Sequence, residues 1–329
     1  MMGISTSIIG ILPPAASAGV GVVIVLQLMR LAQCFGRGGT WGGGILMAYE
    51  NVPENKRSFY AAIPQIGLPI GFGLSSILIA VPTLLLPEDI FFTWGWRIPF
   101  LAAIILTVIV IRQKGEMMET EDYKKAQAKL EAEEAEGKKH KVGFIPMVKG
   151  YWKTLLLGCG TRWVDGTFYN IFIVWILSYC INWLGMPLIQ TYIITIIACI
   201  FKIPFTLFGG WCAQKLGNTR TFVIGALASA VLSIPTLKVI ELSKGNLAIT
   251  IIGIVLGWSI AYNLIWAVIS SLWSSYFETE VRYSGISFVY HVPSFLVAGM
   301  VPTICTLLIN YGKGDTIYVG IYSTVVALI

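Results

Sequence analysis

Ten long apolar runs, separated by short polar connections, constrain this chain more than any other feature. They cover residues 1–17, 20–49, 59–86, 94–111, 153–183, 188–213, 221–240, 246–275, 283–309 and 317–329. Most reach the roughly 20 residues that an α-helix needs to cross a bilayer. Backbone exposed to lipid must satisfy its hydrogen bonds within its own segment, so each run reads as a helix. An outer-membrane barrel would show alternating strands of about ten residues, whereas these runs are continuous. The expectation is an all-α polytopic membrane protein with about nine full helices plus partial terminal ones.

Composition supports this. Only 12% of residues are charged and 56% are hydrophobic, against about 25% charged in an ordinary soluble domain. Too little charge remains to keep a globular surface wet. A soluble enzyme, a disordered chain and a nucleic-acid binder are poor fits. The six cysteines form no CxxC pair and sit almost entirely inside apolar runs, where they read as small buried hydrophobes. Two histidines speak against a histidine-based metal centre. The sequence has no phosphate loop, HExxH, GxSxG or paired catalytic carboxylates, so neither an enzyme nor a cofactor is expected.

Lysine and arginine set the orientation. Fifteen basic residues fall on one side of the runs, ten of them between Arg112 and Lys153, with Lys56, Arg57, Lys215, Arg220 and Arg282 on the same side. The opposite connections hold three, Lys238, Lys244 and Lys313. The loop 112–150 is therefore cytoplasmic in a multi-pass protein of the plasma (inner) membrane. It divides a helical bundle at 1–111 from a second at 151–329. Its stretch from Glu119 to Lys141 mixes acids and bases, as a solvated helix with i,i+4 charge pairs would. A soluble linker and a lipid- or partner-docking segment are both open readings.

At the N-terminus, Ala16-Ser17-Ala18 resembles a signal-peptidase site, but no basic region precedes it and Pro13-Pro14 interrupts the run. A truncated transmembrane hairpin is the reading adopted.

Ionic and polar residues inside apolar runs mark candidate solute contacts. A cationic side chain at mid-helix costs about 2.5–3.5 kcal/mol on insertion scales, so such residues normally face a cavity or a partner. Arg30, Gln33 and Arg37 share one helical face. Asp165 is the only acid well inside a run, and Arg162, Asp165 and Tyr169 share a face at i, i+3 and i+7. Proton relay or substrate contact is one reading of Asp165, and a self-neutralising pair with Arg162 is the other. Lys202, Asn263 and Ser270 are further interior polar sites, and Ser287, His291 and Ser294 form a stripe. The deep charges are mostly positive, which in a shared cavity favours an anionic solute. Gly38, Gly39, Gly42 and Gly43 have the spacing that lets a neighbouring helix approach closely. Pro64, Gly67, Pro69, Gly71 and Gly73 fit either a broken transporter helix or tight packing.

Four strings, in order along the chain, carry a resemblance. They are Arg30-x-x-Gln33-Cys34-Phe35-Gly36-x-Gly38-Gly39-Thr40-Trp41-Gly42-Gly43 followed by Glu50; Arg57-x-Phe59-Tyr60 leading to Pro64-Gln65-x-Gly67-x-Pro69-x-Gly71; Trp94-Gly95-Trp96-Arg97-Ile98-Pro99-Phe100-Leu101; and Val281-Arg282-Tyr283-Ser284-Gly285-Ile286-Ser287. Together the sequence resembles the major facilitator superfamily, specifically its metabolite:proton symporter family. The resemblance implies two six-helix bundles around a central path and alternating access. It also implies a small metabolite as cargo, with protons and the lipid bilayer as the other partners. On that alignment the chain starts in the family's third helix and ends inside the twelfth.

Some positions depart from the family's pattern. Thr40 stands where the family usually has Glu. In the gate-like string Gly210-x-x-x-Gln214-Lys215-x-Gly217-Asn218-Thr219-Arg220, Gln214 stands for the usual Asp. Ser275 and Glu278 replace the customary Glu and Pro. Arg30, Gln33, Arg162, Asp165, Tyr169, Lys202, Asn263 and His291 are expected to line the path, with Asp165 as the proton-coupling group and Gln214, Lys215 and Arg220 as a cytoplasmic gate. The rival reading is a truncated or degenerate homologue without transport activity.

Overall fold

The structure, a computed structural model, describes residues 2–13, 19–38, 40–114 and 144–329. The charged stretch 115–143, residues 14–18 and Gly39 lie outside the described residues, and with them the expected linker helix and Ala16-Ser17-Ala18. The described residues hold fifteen α-helices, in chain order α1 (Met2–Ile11), α2 (Val20–Gly38), α3 (Thr40–Glu50), α4 (Arg57–Ala62), α5 (Gly67–Leu85), α6 (Glu88–Thr93), α7 (Ile98–Lys114), α8 (Phe144–Asn170), α9 (Ile176–Asn182), α10 (Leu188–Leu216), α11 (Asn218–Leu242), α12 (Leu247–Ile254), α13 (Asn263–Ser274), α14 (Thr279–Tyr311) and α15 (Ile317–Leu328).

Among the described residues, seven helical stretches are long and apolar enough to cross a membrane, and three shorter apolar helices accompany them. In the run 20–49, α2 and α3 stand on either side of Gly39, which lies outside the described residues. Several stretches are continuous only through irregular turns. π-helical turns at Ile171–Trp175 and Val255–Ala261 join α8 to α9 and α12 to α13. Pro82, Pro204, Pro235, Pro293 and Pro302 lie inside helices. Each proline removes one helical donor, a defect that neighbouring helices can offset in membrane proteins.

The chain divides into two compact units. The first holds residues 1–43 and 74–119. In it α1 lies so close to α2 and α7 that a side chain at Gly36 would meet Met2, and one at Gly10 would meet Phe100. Polar groups fasten the same contacts: Gln33 Nε2 donates to Thr6 Oγ1 at 2.7 Å, and Arg97 Nη2 to the Leu12 carbonyl at 3.1 Å.

The second unit holds residues 44–73 and 120–329. Glycines set its helix contacts. A Cβ on Gly158 would stand 2.6 Å from Val289, and one on Gly166 2.7 Å from Val297, so α8 and α14 touch at two places eight residues apart. Gly209 meets Ala267, and Gly210 meets Ala62, which binds α4 to α10. α11 and α15 are joined by a Ser233–Ser323 hydrogen bond and by Thr324 Oγ1 donating to the Ala230 carbonyl at 3.0 Å. Small residues permit this closeness, and hydrogen bonds between helices keep buried hydroxyls satisfied. α11 starts after Gly217, whose φ of 92° suits glycine. Asn246 caps α12 by accepting from the Ala248 and Ile249 amides.

At one end of this unit, Lys238 Nζ bonds Glu241 at 3.0 Å and Asp315 at 2.7 Å. Glu241 also accepts from the amide and hydroxyl of Thr316, and Asp315 accepts from the Ile317 amide. The cluster fixes the turn that starts α15. The Lys238 ammonium and the Ile317 amide hold the exposed Asp315 carboxyl below its ordinary value.

Candidate functional site

The polar centre of the second unit is assembled from α8, α10, α13 and α14 together with the π-helical turn before α13. Arg162 and Asp165, one turn apart on α8, form an ion pair. Asp165 is 0% exposed and Arg162 9%. The second carboxylate oxygen of Asp165 accepts from Tyr262 Oη at 2.6 Å. Arg162 Nε donates to Ser294 Oγ at 2.9 Å, and its guanidinium lies 4.2 Å from the Tyr290 ring centroid. The ion pair is thus held from two further helices. Phe168 stacks on Tyr262 and keeps the phenol in place.

Lys202 projects from α10 and is 0% exposed. Its ammonium sits 4.4 Å from the ring centroids of both Trp258 and Tyr262. Such cation–π contacts reach about 2 kcal/mol or more when desolvated. Its one hydrogen bond among the described residues runs to the Trp258 carbonyl at 3.4 Å, near the limit of such bonds. Next to it, Asn263 Nδ2 donates to the Lys202 carbonyl at 2.8 Å, while Asn263 Oδ1 accepts from Thr206 Oγ1 at 3.1 Å. Ser259 Oγ donates to the Ala198 carbonyl at 2.8 Å. The π-helical turn Val255–Ala261 carries Trp258 and Ser259 and precedes Tyr262, and π-bulges recur at functional positions.

Five of the eight expected path residues therefore stand within or beside this centre: Arg162, Asp165, Tyr169, Lys202 and Asn263. Tyr169 is half-buried, with its ring edge-on to Phe72 at 6.1 Å. His291 packs edge-on against Tyr290, which carries Arg162. Of the stripe Ser287, His291 and Ser294, only Ser294 is bonded to Arg162. Arg30 and Gln33 belong to the first unit. There Arg30 is exposed and Gln33 is bonded to Thr6.

The residues expected to form a gate are placed as follows. Gln214 donates to the Asn55 carbonyl and accepts from the Phe59 amide at 3.3 Å, so it holds the segment 55–59. Lys215 lies over the Trp211 ring at 4.2 Å and is exposed, as is Arg220. Gly42 is buried, Gly43 has nothing described within 4 Å of a would-be Cβ, and Gly38 ends α2.

Several contributors escaped the sequence reading. Tyr262 and Trp258 sit in an apolar run, where aromatic residues are commonplace. Glu50 and Arg282 form an ion pair at 2.8 Å, with Arg282 also donating to the Phe277 carbonyl and lying near the Tyr49 ring. Both acid and base belong to quoted motifs, but nothing in their spacing pairs residues 232 positions apart. The described residues contain no group of three His, Cys, Asp or Glu side chains fit to hold a metal.

The chain is 31% identical to the inner membrane metabolite transport protein YhjE of Escherichia coli K12, over 99% of this chain and 72% of that protein. It is 29% identical to the shikimate transporter of the same organism, with 98% and 72% covered. The proline/betaine transporter of Salmonella typhimurium is 28% identical, with 100% and 65% covered. Among solved structures, the proton:xylose symporter XylE bound to 6-bromo-6-deoxy-D-glucose superposes with a TM-score of 0.71 at 17% identity. That likeness covers 99% of this chain and 77% of the symporter, and it concerns the fold. The family description that matches residues 1–327 is the Major Facilitator Superfamily. With its apolar helices, its motifs and these matches in accord, the chain is a multi-pass protein of the plasma (inner) membrane and belongs to the Major Facilitator Superfamily.

Proposed function

We propose that the protein is a secondary active transporter that moves a small anionic or zwitterionic metabolite by alternating access, with proton coupling through Asp165. The observation that carries this reading is the fully enclosed network of Arg162, Asp165, Tyr262 and Lys202 within membrane-spanning helices. A buried ion pair is at best near break-even in stability against apolar residues of the same shape. Two cations and one acid in such a setting are therefore better explained by a task than by folding. An acid whose charge is held by Arg162 and by a phenol can exchange a proton only when that shell rearranges, and coupling requires such a link between charge and conformation.

In this reading residues 1–111 and 151–329 are the two bundles, joined by the cytoplasmic segment 112–150. Arg162, Asp165, Tyr169, Lys202, Asn263 and His291 line the solute path. The Glu50–Arg282 ion pair and the Gln214 contacts to Asn55 and Phe59 then tie residues of one bundle to the other on the cytoplasmic side. Gln214, Lys215, Arg220, Glu50 and Arg282 form the gate, and these ties break when that side opens. Shikimate, proline and betaine, named for the relatives, all bear a carboxylate, which matches a site with excess positive charge. The alternative of a transport-inactive homologue has less behind it, because proteins named as transporters align with essentially the whole chain.

The test is uptake of these three solutes into proteoliposomes with and without an inward proton gradient. The gradient is expected to drive accumulation, and Asp165→Asn to abolish that stimulation while leaving solute exchange. Equal rates with and without the gradient, or no effect of Asp165→Asn, would defeat the coupling.

A further inference from the structure

Two donors at the heart of the second unit lack an adequate acceptor, and they belong to one contact. The Lys202 ammonium carries three N–H donors. Among the described residues its single hydrogen bond is the 3.4 Å approach to the Trp258 carbonyl, and the ammonium lies over the Trp258 and Tyr262 rings. The Trp258 indole Nε1–H is buried with no hydrogen-bond partner among the described residues. Buried donors are satisfied as a rule, so an orphan in a native site calls for an explanation.

Charge points the same way. Arg162 and Asp165 neutralise each other, and both oxygens of Asp165 are engaged, by Arg162 and by Tyr262. Among the described residues no carboxylate forms an ion pair with Lys202. Arg162 is also filled by Ser294 and Tyr290, so it has less to offer an incoming anion than Lys202 has.

We infer that Lys202 Nζ and Trp258 Nε1 form the subsite that receives the carboxylate of the transported solute. This deepens the transporter reading and rests on it. One carboxylate oxygen accepts from the ammonium and the other from the indole N–H, and the solute's negative charge balances the positive charge left over by the Arg162–Asp165 pair. The Tyr262 ring forms one wall. Both side chains are enclosed, so the solute reaches them only after α10 and the π-helical turn Val255–Ala261 loosen their contact. Asn263 and Ser259, which bond the α10 backbone from that turn and its end, are the bonds that must yield.

The experiment measures binding to the purified full chain in detergent. Shikimate and benzoate are each compared with the neutral methyl ester, in wild type, Lys202→Met, Lys202→Arg and Trp258→Phe. Wild type is expected to prefer each acid over its ester by about tenfold or more, the worth of a charge-assisted hydrogen bond. Lys202→Met should lose that preference while keeping ester binding, and Lys202→Arg should keep it in part. Trp258→Phe, which retains the ring but not the donor, should weaken the acid several-fold and leave the ester unchanged. A Lys202→Met protein that still prefers the acid overturns the inference, as does a wild type that binds esters and acids alike. Those outcomes leave the transporter reading intact, whereas a wild type that binds none of the four compounds overturns this inference and the proposed solute class together.

Discussion

Arg162 and Asp165 are each costly without the other. Removing one partner of a buried pair leaves a stranded charge and typically costs about 3–5 kcal/mol, while removing both is far milder. Arg162→Met and Asp165→Asn are therefore expected to lower the melting temperature strongly on their own, and the double variant less than their sum. Strictly additive losses would show that the pair is not coupled. Tyr262→Phe removes the phenol that bonds the second carboxylate oxygen and should cost about 1–3 kcal/mol in the same melting assay. At this scale the sequence was partly legible. The shared face of Arg162, Asp165 and Tyr169 follows from helical spacing, and the exposure of a lone acid or lysine to an apolar run is visible directly. The partners were not legible, because Tyr262, Trp258 and Ser294 lie on other helices and periodicity relates only residues of one helix.

Between elements, contact distance depends on what the facing helix presents. Gly158 and Gly166 receive the Val289 and Val297 side chains, so Gly166→Ala should overpack α8 against α14 and destabilise by about 1–3 kcal/mol. Gly160→Ala, on the same helix with nothing within 4 Å, should be neutral or slightly stabilising. Equal melting of the two variants would refute the packing argument. The glycines of residues 38–43 drew attention by their spacing, whereas Gly158 and Gly166 are eight residues apart and carry no motif. The valines opposite, on a distant helix, define their role.

The Lys238–Glu241–Asp315 cluster supplies a pH-dependent contact at the start of α15. The folded carboxyl of Asp315 is held below its ordinary value of 3.8. Its contribution is therefore complete above that value and is lost as pH falls through the lower folded one. Hydrogen exchange at the α15 amides should accelerate over that acid range, and Asp315→Asn should abolish the acceleration. Unchanged exchange in the wild type would contradict it.

For the molecule as a whole, the apolar runs disclosed the helices, since lipid demands a backbone satisfied within its own segment of any chain. Interruptions were harder to see: neither π-helical turn has a sequence marker comparable to proline. The Glu50–Arg282 ion pair also escaped, and its variant offers a global test. Glu50→Gln should raise the labelling of Ala61→Cys, buried here, by a membrane-impermeant thiol reagent. Labelling that does not change would remove Glu50 from the proposed gate.

The wide turns at Ile171–Trp175 and Val255–Ala261 have one more consequence. Each fits a surplus residue into a helix that keeps its path, and each residue of an α-helix turns the next by about 100°. Excising the surplus residue from the second would leave the span long enough for the bilayer and its two flanks in register, yet would remove the widening that sets Trp258 and Ser259 against α10. The protein would insert with its usual topology and lose the Lys202–Trp258 contact, so membrane integration and the proposed solute recognition can be separated by one codon.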